Sequence, residues 1–314
     1  MSYKILNTIG EGYAVEAKDI LGQLGEVDYI TPTQNELGEI IEKYDIAVLG
    51  LGLNFDKGIL EKAKNLKVIA IPTTGLDHID TEYVQSKSIE VLSLKGETEF
   101  LNSITGTAEL ACGLMIKLLR FMPYAFDSVK NYKWDREKFR GHNLYGQTLG
   151  IVGLGRLGRW MARYGKAFNM NVIYYDTYVD DTKYKKKSFD ELLSKSDVVS
   201  IHVPLNDETK NMFDSKVIGK MKNNAYIINT SRGKIVNEDD LLNALKVKQI
   251  AGYGTDVLAD ELEFAENFSN HPLVEYAKKN QNLIIVPHIG GMTYESRAAT
   301  DVFIANKLKK HLNI

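Results

Sequence analysis

The feature that most constrains this chain is a rhythm. Short β-rich runs alternate with helical stretches, the alternation stops once, and then it resumes. Residues 3–9, 27–30, 45–49, 67–71 and 89–92 read as strands, and 13–24, 34–43 and 57–63 carry helical spacing between them. Strands joined by helices pair in parallel, because each crossover has to travel back along the sheet before the next strand begins. The rhythm breaks at Gly96. A long helical stretch covers 99–121, Pro123 restarts a second helix, and 131–147 is irregular and turn-rich. Six further apolar runs follow at 148–152, 171–175, 197–203, 225–229, 250–254 and 283–286, with helical stretches at 155–167, 189–194, 214–220 and 237–246. Six strands in this order are the complement of a doubly wound dinucleotide-binding sheet. A last helix, 293–312, spans about 30 Å at 1.5 Å per residue, long enough to return to the first domain.

Composition limits the partners. The chain has 314 residues, enough for two domains with their own cores. Its single Cys112 excludes an internal disulfide framework and a four-cysteine zinc site, and no metal site is expected. We expect Cys112 to be a small buried residue of the long helix. With 39 basic and 41 acidic residues there is no electrostatic footprint for nucleic acid or an anionic membrane. Charges interrupt both the first 19 residues and the apolar stretch 108–126, so neither a signal core nor a spanning helix is expected, and the expected location is cytoplasmic. The lysine-rich run 183–187 reads as a solvated loop or helix face.

One local motif carries chemistry. Gly153-Leu154-Gly155-Arg156-Leu157-Gly158 stands between a strand and a helix. GxGxxG alone is a weak signal in a chain with 25 glycines. Here Gly153 can make the tight turn, Gly155 can admit a pyrophosphate, and Gly158 can let helix pack on strand, with the helix N-terminus facing the phosphates. Asp176 ends the next strand, 18 residues after Gly158. An acid there accepts from ribose hydroxyls and repels a 2′-phosphate, which favours NAD over NADP. The plainer reading is a glycine turn with a helix-capping aspartate.

Ligands of open α/β sheets sit outside the carboxyl ends of the strands. Standing there are His202 and Pro204, then Thr230, Ser231 and Arg232, then Thr255, Asp256 and Glu261, and finally His288, Ile289, Gly290 and Gly291. Arg232 can fork two hydrogen bonds onto a carboxylate. His288 can exchange a proton, and a nearby Glu261 would favour its charged form. A lone arginine or histidine more commonly serves the surface or the core; their convergence on one sheet edge favours hydride transfer at a hydroxy or keto acid.

With these residues in place, the chain resembles the NAD-dependent D-2-hydroxyacid dehydrogenase family over essentially its whole length. The resemblance is carried by 75–80 (GLDHID), 148–158 (TLGIVGLGRLG), 200–205 (SIHVPL), 229–233 (NTSRG) and 287–291 (PHIGG). It implies an α/β fold of two domains, a Rossmann-type doubly wound parallel sheet plus a flavodoxin-like substrate domain. The substrate domain would be discontinuous, 1–97 plus 293–314, and 98–292 would bind the dinucleotide.

The implied catalytic set is Arg232, Glu261 and His288. The implied cofactor set is Gly153, Gly155, Arg156, Leu157, Gly158, Asp176, His202, Pro204, Thr209, Thr230, Asp256, His288 and Gly290, with Asp256 at the nicotinamide carboxamide. Thr74 and Gly75 would bind the substrate carboxylate together with Arg232 and His288. The family also implies a homodimer through 99–147. Leu262 stands where members often carry proline, and 260–271 is longer than usual. Members acting on 3-phosphoglycerate carry arginine where Gly50 and Ile71 stand here, which disfavours that substrate, and the Glu261–His288 pair disfavours a formate dehydrogenase. Loops 50–55 and 72–76 and Tyr294 would form the side-chain pocket, with Gly52 and Phe55 as a neutral lining. The expected function is interconversion of a D-2-hydroxy acid and a 2-keto acid with NAD(H). The alternative is a non-catalytic, NAD-binding regulator of the corepressor kind on the same scaffold.

Overall fold

A computed structural model describes residues 2–261, 264 and 268–314. The described residues divide into two compact units: 2–104 with 264 and 292–314, and 105–261 with 268–291.

The first unit is built on five parallel strands, β1 (Tyr3–Asn7), β2 (Gly25–Tyr29), β3 (Ile46–Val48), β4 (Val68–Ala70) and β5 (Glu90–Leu92), in the order β2-β1-β3-β4-β5. This is the flavodoxin-like order of doubly wound sheets. The central strands are buried on both faces, so they read as unbroken apolar runs rather than alternating ones. One face is covered by a cluster including Leu37, Phe55, Ile59 and Ile69. The other is covered by Ala17 and Leu21 of the helix Val15–Gly22 together with Ile304, Ala305 and Leu308 of the last helix, Tyr294–His311. That return is fastened by polar contacts as well: Tyr13 donates its hydroxyl to the Asp301 carbonyl at 3.1 Å, and the Asp301 carboxylate accepts the Ala14 N–H at 3.2 Å.

The helix expected at 99–121 is two helices, Thr98–Leu101 and Gly106–Leu119. The apolar spacing runs on through 102–105. However, Ser103 turns its hydroxyl onto the Phe100 carbonyl at 2.9 Å, offering the backbone a competing local bond. The chain leaves the first unit within this break.

Among the described residues the second unit holds seven parallel strands, where the sequence predicts six. In chain order they are β6 (Thr148–Val152), β7 (Asn171–Tyr175), β8 (Lys185–Lys186), β9 (Val198–Ile201), β10 (Tyr226–Asn229), β11 (Gly252–Thr255) and β12 (Leu283–Ile285), arranged β12-β11-β10-β9-β6-β7-β8. The extra strand lies in the lysine run, where the sequence predicts a solvated loop or helix face. Two of its residues pair with β7 at the sheet edge, where exposed lysines discourage a further strand from adding. A short helix that the sequence pattern does not predict, Pro272–Ala277, starts on its proline. Cys112 is only partly buried against the second core, and burial raises its thiol pKa. Among the described residues no helix is long and apolar enough to cross a membrane.

Candidate active site

The order of the second sheet reverses between β6 and β9, and the glycine turn sits at that switch point. The His202 N–H donates to the Val152 carbonyl at 2.7 Å, so the chain leaving β9 runs against the turn that leaves β6. Gly153 occupies the left-handed region at φ 91°, and a Cβ on it would stand 2.7 Å from the His202 carbonyl oxygen, so only glycine fits. Gly155 caps the helix Arg156–Ala167, and nothing lies within 4 Å of where its Cβ would be. Arg156 and Leu157 occupy the first turn of that helix, and Gly158 packs against the Gly153 carbonyl. Arg156 is half-buried, which lowers its pKa.

Asp176 is more than an acid at a strand end. Its carboxylate accepts the N–H groups of Leu154 (2.7 Å), Tyr178 (2.8 Å) and Val179 (2.8 Å), tying the glycine turn to the end of β7. Pro204 and Thr209 close one loop, with the Thr209 hydroxyl donating to the Pro204 carbonyl at 2.6 Å. His202 sits 2.8 Å from the Ser200 hydroxyl through Nε2, and burial pushes its pKa down to about 4, so its ring is neutral near pH 7. Its Nδ1 and the Thr230 hydroxyl are buried with no hydrogen-bond partner among the described residues. Orphaned polar atoms at a switch point, beside an open glycine at a helix N-terminus, fit a dinucleotide.

Arg232 follows β10 on a turn that Asn229 organises. Asn229, fully buried, donates through Nδ2 to the Arg232 carbonyl (3.0 Å) and the Tyr253 hydroxyl (3.2 Å) and accepts the Ser231 N–H (3.0 Å). The Arg232 guanidinium donates to the Ser231 carbonyl at 2.8 Å. The sequence signal for Asn229 is its place at the strand end, one residue before the polar group Thr230, Ser231 and Arg232.

His288 and Glu261 meet, with Nδ1 and Oε1 2.6 Å apart. A carboxylate only accepts, so Nδ1 carries the hydrogen and Nε2 is the nitrogen left for a ligand. Burial disfavours imidazolium, but the hydrogen bond and charge of Glu261, with Asp256 adding, outweigh it and raise the His288 pKa; Arg232 pulls the other way. His288 stands at φ 51°, a strained conformation for a residue with a Cβ, costing roughly 1 kcal/mol or more. Asp256 holds that turn. Its carbonyl accepts the His288 N–H at 2.9 Å, and its carboxylate accepts Ile289 (2.6 Å) and Gly290 (2.8 Å). Asp256 is 1% exposed, and burial raises its pKa against those two N–H groups and the charge of His288.

Thr74 and Gly75 lie in the first unit after β4, where their N–H groups donate no hydrogen bond among the described residues. Phe55 is fully buried and belongs to the first core, so it is not a pocket lining; a phenylalanine in a loop sequence does not reveal which way it packs. Tyr294 is 94% exposed. Leu262 and much of the 260–271 stretch lie outside the described residues.

Comparison with known proteins identifies the family. Residues 112–290 match the family model of the D-isomer specific 2-hydroxyacid dehydrogenase NAD binding domain. The chain is 35% identical to D-3-phosphoglycerate dehydrogenase of Methanocaldococcus jannaschii over 95% of its own length and 55% of that protein. It therefore spans about half the length of the phosphoglycerate dehydrogenases it matches. It is 33% identical to hydroxypyruvate reductase of Thermotoga maritima, covering 90% of this chain and 89% of the relative. A D-lactate dehydrogenase from Aquifex aeolicus, solved with NAD and lactic acid, superposes with a TM-score of 0.83 at 27% identity, covering 99% of this chain and 95% of that one. The glycine turn and its surroundings are thus an NAD-binding domain, and the chain belongs to the D-isomer specific 2-hydroxyacid dehydrogenase family.

Proposed function

We propose that the protein interconverts a D-2-hydroxy acid and a 2-keto acid using NAD(H). The observation that carries this reading is the Glu261–His288 pair, in hydrogen-bond contact and aimed so that Nε2 remains available, in the same unit as the NAD-binding turn. NADH would supply the hydride to the carbonyl carbon. His288, held as imidazolium by Glu261, donates its Nε2 proton to the carbonyl oxygen and ends neutral; oxidation runs the same proton backwards. Arg232 binds the substrate carboxylate as a fork; within the first unit, the N–H groups of Thr74 and Gly75, which donate to no partner among the described residues, are suited to an anion. The remaining cofactor-facing residues act as the glycine turn, Asp176, His202, Pro204, Thr209, Thr230, Asp256 and Gly290 suggest: they orient the dinucleotide.

The substrate is read as a non-phosphorylated acid. Ile71 is fully buried, and a side chain on Gly50 would meet Ile9 Cγ1 at 3.2 Å, so neither position offers a cation to a phosphate. A second copy of the chain is the partner proposed for 99–147, where the helix Met122–Lys130 buries none of its residues and Phe126 and Trp134 are 65% and 87% exposed. The deciding experiment mixes protein, NADH and a panel of 2-keto acids and follows NADH absorbance. Turnover of unphosphorylated acids is the expected result. Tight NADH binding with no turnover of any acid would favour a non-catalytic regulator.

A further inference from the structure

Beside the Glu261–His288 pair lies a half-buried carboxyl that the reaction as proposed does not use. Glu238 opens the helix Glu238–Lys246. Three acids occupy that first turn. Asp239 faces solvent, and Asp240 accepts the Ser215 N–H at 2.8 Å. Glu238 turns inward, its side chain 20% exposed, and its Oε1 accepts the Ala259 N–H at 2.7 Å. Its Oε2 stands 3.4 Å from Nε2 of His271, whose side chain is 14% exposed.

Ala259 belongs to the turn that delivers Glu261. The Leu258 N–H donates to Glu261 Oε2 at 3.3 Å, and Oε1 of the same carboxylate goes to His288. The other side of the turn is pressed onto the residue that follows Arg232. A Cβ on Gly233 would lie 2.0 Å from the Leu258 carbonyl carbon and 2.2 Å from the Ala259 nitrogen. Gly233 thus lets backbone touch backbone, and Lys234 adds an ion pair to Asp260 at 2.6 Å. One turn therefore connects the chain after Arg232 to the partner of His288, and Glu238 is the side chain that grips its middle.

We propose that Glu238 is a positioning residue for this reaction: by holding the Ala259 N–H it fixes the 258–261 turn, and with it the placement of Glu261 on His288. The inference rests on the acid–base reading of His288. Simple helix capping does not account for the arrangement, because Glu238 faces away from solvent and lies near Asp260, Asp239 and Glu261. Burial, first, and those three acids raise its pKa to about 7 against the Ala259 hydrogen bond. A carboxyl kept in so unfavourable a place, on the one turn that carries Glu261, has a mechanical task that an exposed acid of the same helix does not.

The test compares Glu238→Ala with Glu238→Gln, whose amide oxygen can still accept from Ala259. Two readouts are needed. The first is kcat and KM on a turned-over keto acid. We expect Glu238→Ala to lose about 10- to 100-fold in kcat, as for a catalytic group displaced by around 1 Å, with NADH affinity unchanged. Glu238→Gln should recover most of that loss. The second readout needs no turnover: the pKa of the His288 ring by NMR titration, its signal assigned by its absence in His288→Ala. In Glu238→Ala it should fall toward the ordinary histidine value, while Glu238→Gln keeps it raised. Failure of the wild type to reduce any keto acid would defeat the reaction reading; an unmoved His288 titration in folded Glu238→Ala would defeat the positioning role on its own. If Glu238→Ala does not fold, Glu238→Asp, one methylene too short for Ala259, carries the same comparison, and a wild-type kcat with a wild-type titration overturns the proposal.

Discussion

Glu261 and His288 meet at 2.6 Å with side chains 24% and 29% exposed, whereas Glu238 and His271, in the same unit, stand 3.4 Å apart with side chains 20% and 14% exposed. The chemical groups are the same, and the electrostatic outcomes are opposite. In the first pair the hydrogen bond and the charge of Glu261 overcome burial, and the His288 pKa is raised. In the second, burial lowers the His271 pKa and lifts Glu238 to about 7. In a closely bonded pair the charges are favoured; in a slightly looser one burial disfavours them. The first is therefore equipped to exchange a proton through an available Nε2, and the second to act as a brace. His202, next to Ser200 and with its pKa pushed down to about 4, follows the second pattern at the cofactor turn.

The comparison is most exposed at His288. His288→Ala should lower kcat by about 10²- to 10⁴-fold, the range for loss of a general acid–base group, while NADH affinity measured by fluorescence stays within about twofold, since Asp176 and the glycine turn are untouched. Comparable loss of affinity and turnover would mean that His288 serves the cofactor rather than the proton.

Next comes the contact that separates the two pairs. Glu261→Gln removes the influence that raises the His288 pKa. In the proposed reaction keto-acid reduction needs imidazolium, so its rate would fall as pH rises through the His288 pKa. In Glu261→Gln that fall should occur at lower pH, with kcat reduced about 10-fold or more on the alkaline side. The oxidation direction needs neutral imidazole, so its rising limb should move to lower pH as well. Superimposable pH profiles would show that burial, not Glu261, governs His288, and the two pairs would then be alike.

How much of this was readable beforehand follows from how local each signal is. The parallel sheets were legible because apolar runs and helical spacing repeat along the chain, and the turn at 153–158 because three glycines bracket it within six residues. The break at 102–105 was not, since hydrophobic spacing continues across it and only a side-chain bond to the backbone interrupts the helix. A two-residue strand such as Lys185–Lys186 has no period to detect. At the site, Arg232, Glu261 and His288 stood out as polar groups after strand ends, and the structure brings Glu261 onto His288. Glu238 did not stand out. Its bond is to a backbone amide 21 residues away, and a backbone amide looks the same under any side chain. Gly233 was part of a quoted motif, but its close approach to Leu258 and Ala259 exists only after folding.

The smallest effect concerns stability and tests the brace rather than the proton carrier. Glu238 has an ordinary value of 4.5 and a folded value of about 7, so the folded state holds a proton that the unfolded state gives up between those limits. Its favourable contribution is complete below about pH 4.5 and is lost as pH rises through about 7. Glu238→Gln cannot titrate. Its unfolding free energy, measured in urea at pH 5 and pH 8, should fall less over that interval than that of the wild type. The difference should be about 1–2 kcal/mol once the water still reaching the pair is allowed for. His271 works in the opposite sense: its depressed pKa gives a contribution present above about 6.5 and lost as pH falls, so Glu238→Gln combined with His271→Gln isolates the carboxyl from its neighbour. Equal slopes for wild type and Glu238→Gln would mean that Glu238 stays ionised in the folded protein. The Glu238–His271 pair would then keep its carboxylate charged as the Glu261–His288 pair does, and the 0.8 Å between 2.6 and 3.4 Å would no longer distinguish them.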